Sequence, residues 1–268
     1  YTQWFHDEGL LANVDPAKIP NYAEVADVYK DLSPYAVDDA GNLFAFPWCN
    51  GTSSLAYNPD KVDFELEHWS DLLNPALKGH VMVLDGDGDD WVIGCLLAGE
   101  DSDDIENVDI EKLKGQLLGF WASNDEQTIP WLAGDFWAGE IWSGPYSQLI
   151  NDPSTNIKLV HPTEGTVGYV DYWAIVEGTD EYDLACEWIN WIESEEQQTA
   201  MATGISDKYP GEYYTYTPVN AKAIDNLTPE QKITLELDPM PTCIKLLPYI
   251  ADPELKDAWT DLYQEFVG

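Results

Sequence analysis

The sequence predicts an α/β protein, and three observations carry that prediction. Short apolar runs bounded by Gly, Pro, Asn or Asp alternate with longer segments of helical periodicity. Hydrophobic residues make up 44% of the 268 and aromatics 13%, with 12 Trp, so a core can be built despite the charge. No stretch approaches the ~18 uninterrupted apolar residues that a membrane helix needs. The length falls between one large domain and two of ordinary size. No linker, repeat or low-complexity tract marks a boundary, so two lobes would be joined by strand-like crossings.

Taken along the chain, strands are expected at Leu43–Pro47, Ser54–Tyr57, Val81–Leu84, Glu140–Trp142, Ile157–Val160 and Tyr172–Val176. Helices are expected at Asp90–Ala98, Ile110–Trp121, Asp180–Ile192 and Pro253–Val267. The last places Leu255, Trp259, Leu262, Tyr263 and Phe266 on one face, with Asp252 and Pro253 fitting its N-cap and first turn. The opening Tyr1-Thr2-Gln3-Trp4-Phe5 carries neither an initiator Met nor the parts of a signal peptide.

Charge narrows the function. The 12 basic residues, all of them Lys, face 50 Asp and Glu, a net of −38. Nucleic acid is excluded as an electrostatic partner, because phosphate neutralisation needs a basic surface. The planar fork that grips carboxylate or phosphate is absent, which weakens an anionic ligand. A cationic or neutral ligand is left. Adaptation to high salt would also explain most of the acidity. Cys49, Cys95, Cys186 and Cys243 are widely spaced and suggest neither a zinc site nor a disulfide framework. Cys95 and Cys186 read as small core residues.

Asp85-Gly86-Asp87-Gly88-Asp89-Asp90 begins like a calcium loop, but Asp90 stands where Gly is needed and Leu96 where a bidentate Glu should be. The run ends one strand and opens a helix. It suits either helix capping or a strand-end cluster facing a crevice. The four His are scattered, and no GxSxG elbow, P-loop or GxGxxG occurs. Rings stand beside carboxylates instead, as in Tyr169-Val170-Asp171-Tyr172-Trp173. Residues 169 and 171 of a strand project to one side. A ring and a carboxylate together are what an ammonium ligand needs, although core aromatics beside a solvated Asp would read the same way.

Phe46-Pro47-Trp48, Gly51-Thr52 and Leu55-Ala56-Tyr57-Asn58 are similar to a "PY.WGT..L.YN" segment. His68-Trp69-Ser70-Asp71-Leu72 through Pro75-Ala76-Leu77-Lys78-Gly79 resembles a "SWADLWDPELKGK" stretch. Ile141-Trp142-Ser143-Gly144, Pro162-Thr163-Glu164-Gly165 and Tyr216-Thr217-Pro218-Val219-Asn220 follow. In these segments and their order the chain resembles the polyamine-binding proteins of ABC importers.

The resemblance implies a two-lobed, type II periplasmic-binding-protein-like fold with an interlobe ligand cleft. The family's opening strand–helix–strand unit would be missing here. Residues 1–55 and 170–225 would form the first lobe, and 56–169 with 226–268 the second. Asp89, Trp142 and Asp171 match family ligand contacts, and Tyr169 stands where the family usually has Trp. A second family carboxylate aligns at Gly86, so that Asp85 or Asp87 would replace it. Tyr216 matches a Tyr contact, Tyr249 falls near a Gln position, and Trp48 either lines the cleft or packs the crossing. Asp171 and Asp89 are expected to oppose each other across the cleft and take the two ends of a diamine. The implied protein is a monomeric, extracytoplasmic receptor, lipid-anchored or secreted. It would pass spermidine or putrescine to a permease, with no cofactor, metal or reaction of its own. Thiamine, an opine or ferric iron on the same fold, the last through Tyr213, Tyr214 and Tyr216, is the alternative. A carboxylate-based enzyme is another.

Overall fold

The computed structural model describes residues 2–31, 35–85, 115–204 and 216–243, together with 257, 258, 260, 261 and 264. The expected helix at Asp90–Ala98, and most of that at Pro253–Val267, lie outside the described residues. The chain divides into two compact units, Tyr1–Gly51 with Tyr169–Pro239 and Thr52–Gly168 with Met240–Gly268. Two of its passages between them are strands, β1 (Ala45–Tyr57) and β6 (Val167–Ala174), which pair with each other. Residues 226–239, expected with the second lobe, belong to the first unit. Leu227 and Leu235 cluster there with Ala202, and the Thr217 hydroxyl donates to the Leu235 carbonyl at 2.8 Å.

The second unit is built on a mixed sheet. Its order is β3 (Leu117–Trp121), β2 (Val81–Leu84), β4 (Ala138–Trp142), β1 and β5 (Lys158–Val160). β2 runs parallel to β3 and β4, while β1 is antiparallel to β4 and β5. Leu55 and Tyr57 pack in one core cluster and Ala56 in another; Val81 and Val83 divide from Met82 in the same way. Both faces of the sheet are therefore covered, which explains strands that read as unbroken apolar runs. Trp69 closes one of these cores, fully buried, with its indole N–H on the Gly165 carbonyl at 2.9 Å.

Two expectations fail here for the same reason. The helix expected over Ile110–Trp121 is a strand across Leu117–Trp121, since parallel pairing with Val81–Leu84 outweighs local periodicity. Leu43–Pro47 and Ser54–Tyr57, expected as separate strands, are joined in β1. Its polar middle is held by partners: Cys49 and Asn50 pair with β7 (Thr217–Pro218), and Ser53 pairs with Trp142.

In the first unit, Val14, Ile19, Phe44 and Phe46 pack with Ile175 and with Cys186 and Ile189. The last two are the buried stripe of the helix Tyr182–Ile192. A second helix, Glu195–Thr203, follows after Ser194, whose hydroxyl accepts the Gln197 N–H, and ends at Gly204 in the left-handed conformation. β6 begins before the expected Tyr172, so Tyr169 and Asp171 both lie within it.

Candidate ligand-binding residues

Trp48, Tyr169, Asp171 and Tyr216 all belong to the first unit. Trp48 leaves β1 half-buried, its ring 5.3 Å from that of Tyr216 and 5.4 Å from that of Trp173. Its indole N–H is buried and has no hydrogen-bond acceptor among the described residues. Asp171 lies two residues beyond Tyr169 in β6, so strand alternation sets both on one side.

The Asp171 side chain has accessible surface, yet it is crowded enough for desolvation to raise its carboxyl above the usual range. The Cys49 thiol, buried next to Trp48 in β1, opposes that rise by donating to Asp171 Oδ2 at 3.5 Å. Burial first, and then the Asp171 charge, push the thiol up, so it stays a protonated donor. Burial raises the Tyr216 phenol too, with the neighbouring Cys49 and Asp171 adding to it. Two rings, a phenol and a carboxylate thus share one neighbourhood.

Asp85 and Trp142 belong to the second unit. Asp85 is exposed directly after β2, its backbone N–H on the Trp121 carbonyl at 2.8 Å. The Trp121 ring meets Trp142 edge-on at 4.8 Å, so one core indole braces both positions. Trp142 ends β4, and its N–H is held by Gln127 Oε1 at 3.0 Å. Asp89 and Tyr249 lie outside the described residues, as do Tyr213 and Tyr214.

Sequence reasoning missed several polar groups that the fold gathers around these residues. Glu140, buried within β4, accepts from the Ser53 hydroxyl and, at 3.0 Å, from the Leu84 N–H that precedes Asp85. Its signal was available: a carboxylate inside an apolar run that reads as a covered strand. Glu193 is fully buried, and neither carboxyl oxygen has a hydrogen-bond partner among the described residues. Burial lifts its pKa to about 8. Cys49 carried no local signal, since its partner lies 122 residues away. Among the described residues no group of three His, Cys, Asp or Glu could hold a metal ion, and no helix is long and apolar enough to cross a membrane.

Two discontinuous α/β units joined by paired crossing strands define a two-lobed binding protein of the type II periplasmic class. The chain belongs to the bacterial extracellular solute-binding protein family, whose model matches residues 2–234. That family is one of binding proteins rather than enzymes. Over 214 residues, 69% of the chain, it is 25% identical to the putrescine-binding periplasmic protein PotF of Escherichia coli (strain K12). It spans 55% of that protein's length. The spermidine/putrescine ABC transporter substrate-binding protein PotD of Streptococcus pneumoniae has a similar structure. Its TM-score is 0.75 at 23% identity, covering 99% of this chain and 80% of that one. An ABC transporter structure from Clostridium perfringens gives 0.69 at 19% identity, again covering 99% and 80%.

Proposed function

We propose that this chain is a receptor for a polyamine, putrescine or spermidine, and that it acts outside the cytoplasm as a monomer and delivers its ligand to the permease of an ABC importer. The observation that carries the reading is Asp171. Its carboxylate has no ammonium partner among the described residues, and it lies near Cys49 and Tyr216, with the Trp48 ring against Tyr216 and Tyr169 on the same side of β6. An alkylammonium supplies what that arrangement lacks: a cation and N–H donors for the carboxylate, and methylenes for the ring faces. The similarity to PotF points the same way, and a chain with −38 net charge attracts cations from solution. Asp85, Asp89, Trp142 and Tyr249 complete the proposed ligand set.

A thermal-shift screen tests the reading. A ligand at 100 times its Kd stabilises the folded chain by about 2.7 kcal/mol. Putrescine or spermidine should therefore raise the melting temperature by several degrees, and thiamine or ferric iron should not. A shift with thiamine or iron alone would replace the amine by that solute.

A further inference from the structure

Gln198 is fully buried in the helix Glu195–Thr203, and its side-chain amide makes four hydrogen bonds. Nε2 donates to the carbonyls of Trp48 at 3.0 Å and Ile192 at 3.2 Å. Oε1 accepts from the N–H of Val219 at 2.9 Å and of Asn220 at 3.4 Å. Both donors and both acceptor positions of the amide are thus committed to backbone.

The positions of these partners give the amide its meaning. β1 and β7 pair antiparallel with Cys49 opposite Pro218 and Asn50 opposite Thr217. Continued by one step, that register would set Trp48 opposite Val219. The Gln198 amide occupies that step instead, receiving the Val219 N–H on its oxygen and giving its own N–H to the Trp48 carbonyl. A side-chain amide thus stands in for a direct backbone rung at the step that carries Trp48, one step beyond the Cys49–Pro218 pair. Trp48 is the residue held, and Tyr216 lies three residues before Val219 on the opposite segment. Their rings stand 5.3 Å apart at 44°.

We propose that Gln198 is a positioning residue: it fixes the placement of the Trp48 ring against that of Tyr216 by tying the Trp48 carbonyl to the Val219 and Asn220 N–H groups, and so tunes amine affinity without touching the ligand. The ligand part of this inference rests on the polyamine reading; the positioning part does not. Gln198→Met keeps length and burial but leaves the inserted rung without donor or acceptor.

Two readouts test it. In titration calorimetry with putrescine, Gln198→Met should weaken binding about tenfold, whereas in a Trp48→Phe background the same change should cost under about twofold, because the effect runs through that ring. Near-ultraviolet circular dichroism of the unliganded chain should change in Gln198→Met and change far less when Trp48 is already Phe. Unchanged putrescine affinity, or equal losses in both backgrounds, overturns the inference and leaves the amine reading standing. Failure of the wild-type chain to bind putrescine or spermidine ends the amine reading, and the dichroism then decides the positioning role alone. An unchanged spectrum rejects it. If Gln198→Met does not fold, Gln198→Glu replaces it. Ionised, that side chain cannot donate to Trp48; protonated, it can. Putrescine affinity should then recover as pH falls from 9 to 6 beyond any change in the wild type, and parallel pH profiles would reject the role.

Discussion

The Cys49 thiol donates to Asp171 Oδ2 at 3.5 Å, joining two residues 122 positions apart. The bond leaves Oδ1 without a protein donor among the described residues, and the thiol helps hold the carboxylate ionised in surroundings that favour its neutral form. Cys49→Ala removes the donor and should raise the Asp171 pKa further. Putrescine affinity should then fall more steeply than in the wild type as pH is lowered through the carboxylate range, and Cys49→Ser should restore the profile. Superimposable profiles for wild type and Cys49→Ala would remove the thiol from the site.

Asp171 itself gives the larger effect. A hydrogen bond to a charged group is worth roughly 1.5–3 kcal/mol, so Asp171→Asn should weaken amine binding by about 10- to 150-fold at ~1.4 kcal/mol per tenfold. Folding should be little affected. Tyr169→Ala should cost about 0.5–2 kcal/mol of binding through the lost ring face. Equal calorimetric affinities for wild type and Asp171→Asn would make Asp171 no more than a strand carboxylate.

Close packing in the second unit makes a sharper structural prediction. A Cβ on Gly139 would lie 2.0 Å from the Met82 carbonyl oxygen, and Met82 is its parallel partner across β2 and β4. Backbone cannot swing aside as a side chain does, so Gly139→Ala should cost about 3 kcal/mol or more. At Gly168 the nearest atom is the Cys243 sulfur, at 2.4 Å from the built Cβ. That clash is with a side chain, and Cys243→Ala, which leaves only the Cβ at 3.2 Å, should relieve most of the cost of Gly168→Ala. Gly119, also in a strand, has nothing within 4 Å of a built Cβ, so Gly119→Ala should be neutral or mildly stabilising. Urea denaturation ranks the three; a Gly139→Ala chain as stable as Gly119→Ala would contradict the packing.

The α/β alternation was legible because the second unit's strands are covered on both faces and so read as apolar runs. Val81–Leu84 appears over the same four residues that composition marks. Leu117–Trp121 was not legible: its periodicity admits a helix, and only the neighbouring β2 decides for a strand. The helix Asn124–Ala133 was overlooked although Ser123 and Glu126 form the Ser-x-x-Glu start signal and Gly134 closes it. Asp171 could be nominated as a candidate because Tyr169 lies two residues away in the same strand. Cys49, Glu193 and Gln198 could not, because their burial and the Cys49 and Gln198 partners come from segments distant in sequence.

The acidity predicts a response to salt. With −38 net charge, self-repulsion destabilises the compact chain at low ionic strength. The Lys18–Asp183, Lys158–Glu65 and Lys222–Glu24 pairs are exposed enough that their screening gives back little. The melting temperature should therefore rise between low and molar salt. A flat profile across that range would separate the acidity from any adaptation to salt.

Glu193 predicts the pH dependence. An unfolded glutamate ionises near 4.5, while burial holds this one protonated until about 8. Below the lower value both states carry the proton, and the group contributes no pH dependence. Between the two values the unfolded chain releases a proton that the folded chain keeps, so stability falls as pH rises. Above the upper value both states are ionised and the penalty is complete, on the order of 5 kcal/mol at about 1.4 kcal/mol for each tenfold change in proton affinity. Among the described residues, Tyr22 and Cys49 are the titratable groups that sense this carboxyl, and each is itself pushed upward by burial and so stays neutral through the window. Glu193→Gln keeps the shape and removes the titration. The two proteins should melt alike near pH 4.5, and the variant should pull ahead as pH rises, by roughly 10 °C at pH 8.5 on a scale of about 2–4 °C per kcal/mol. Melting curves that stay parallel from pH 4.5 to 8.5 would mean that the carboxylate is charged and solvated in the folded chain.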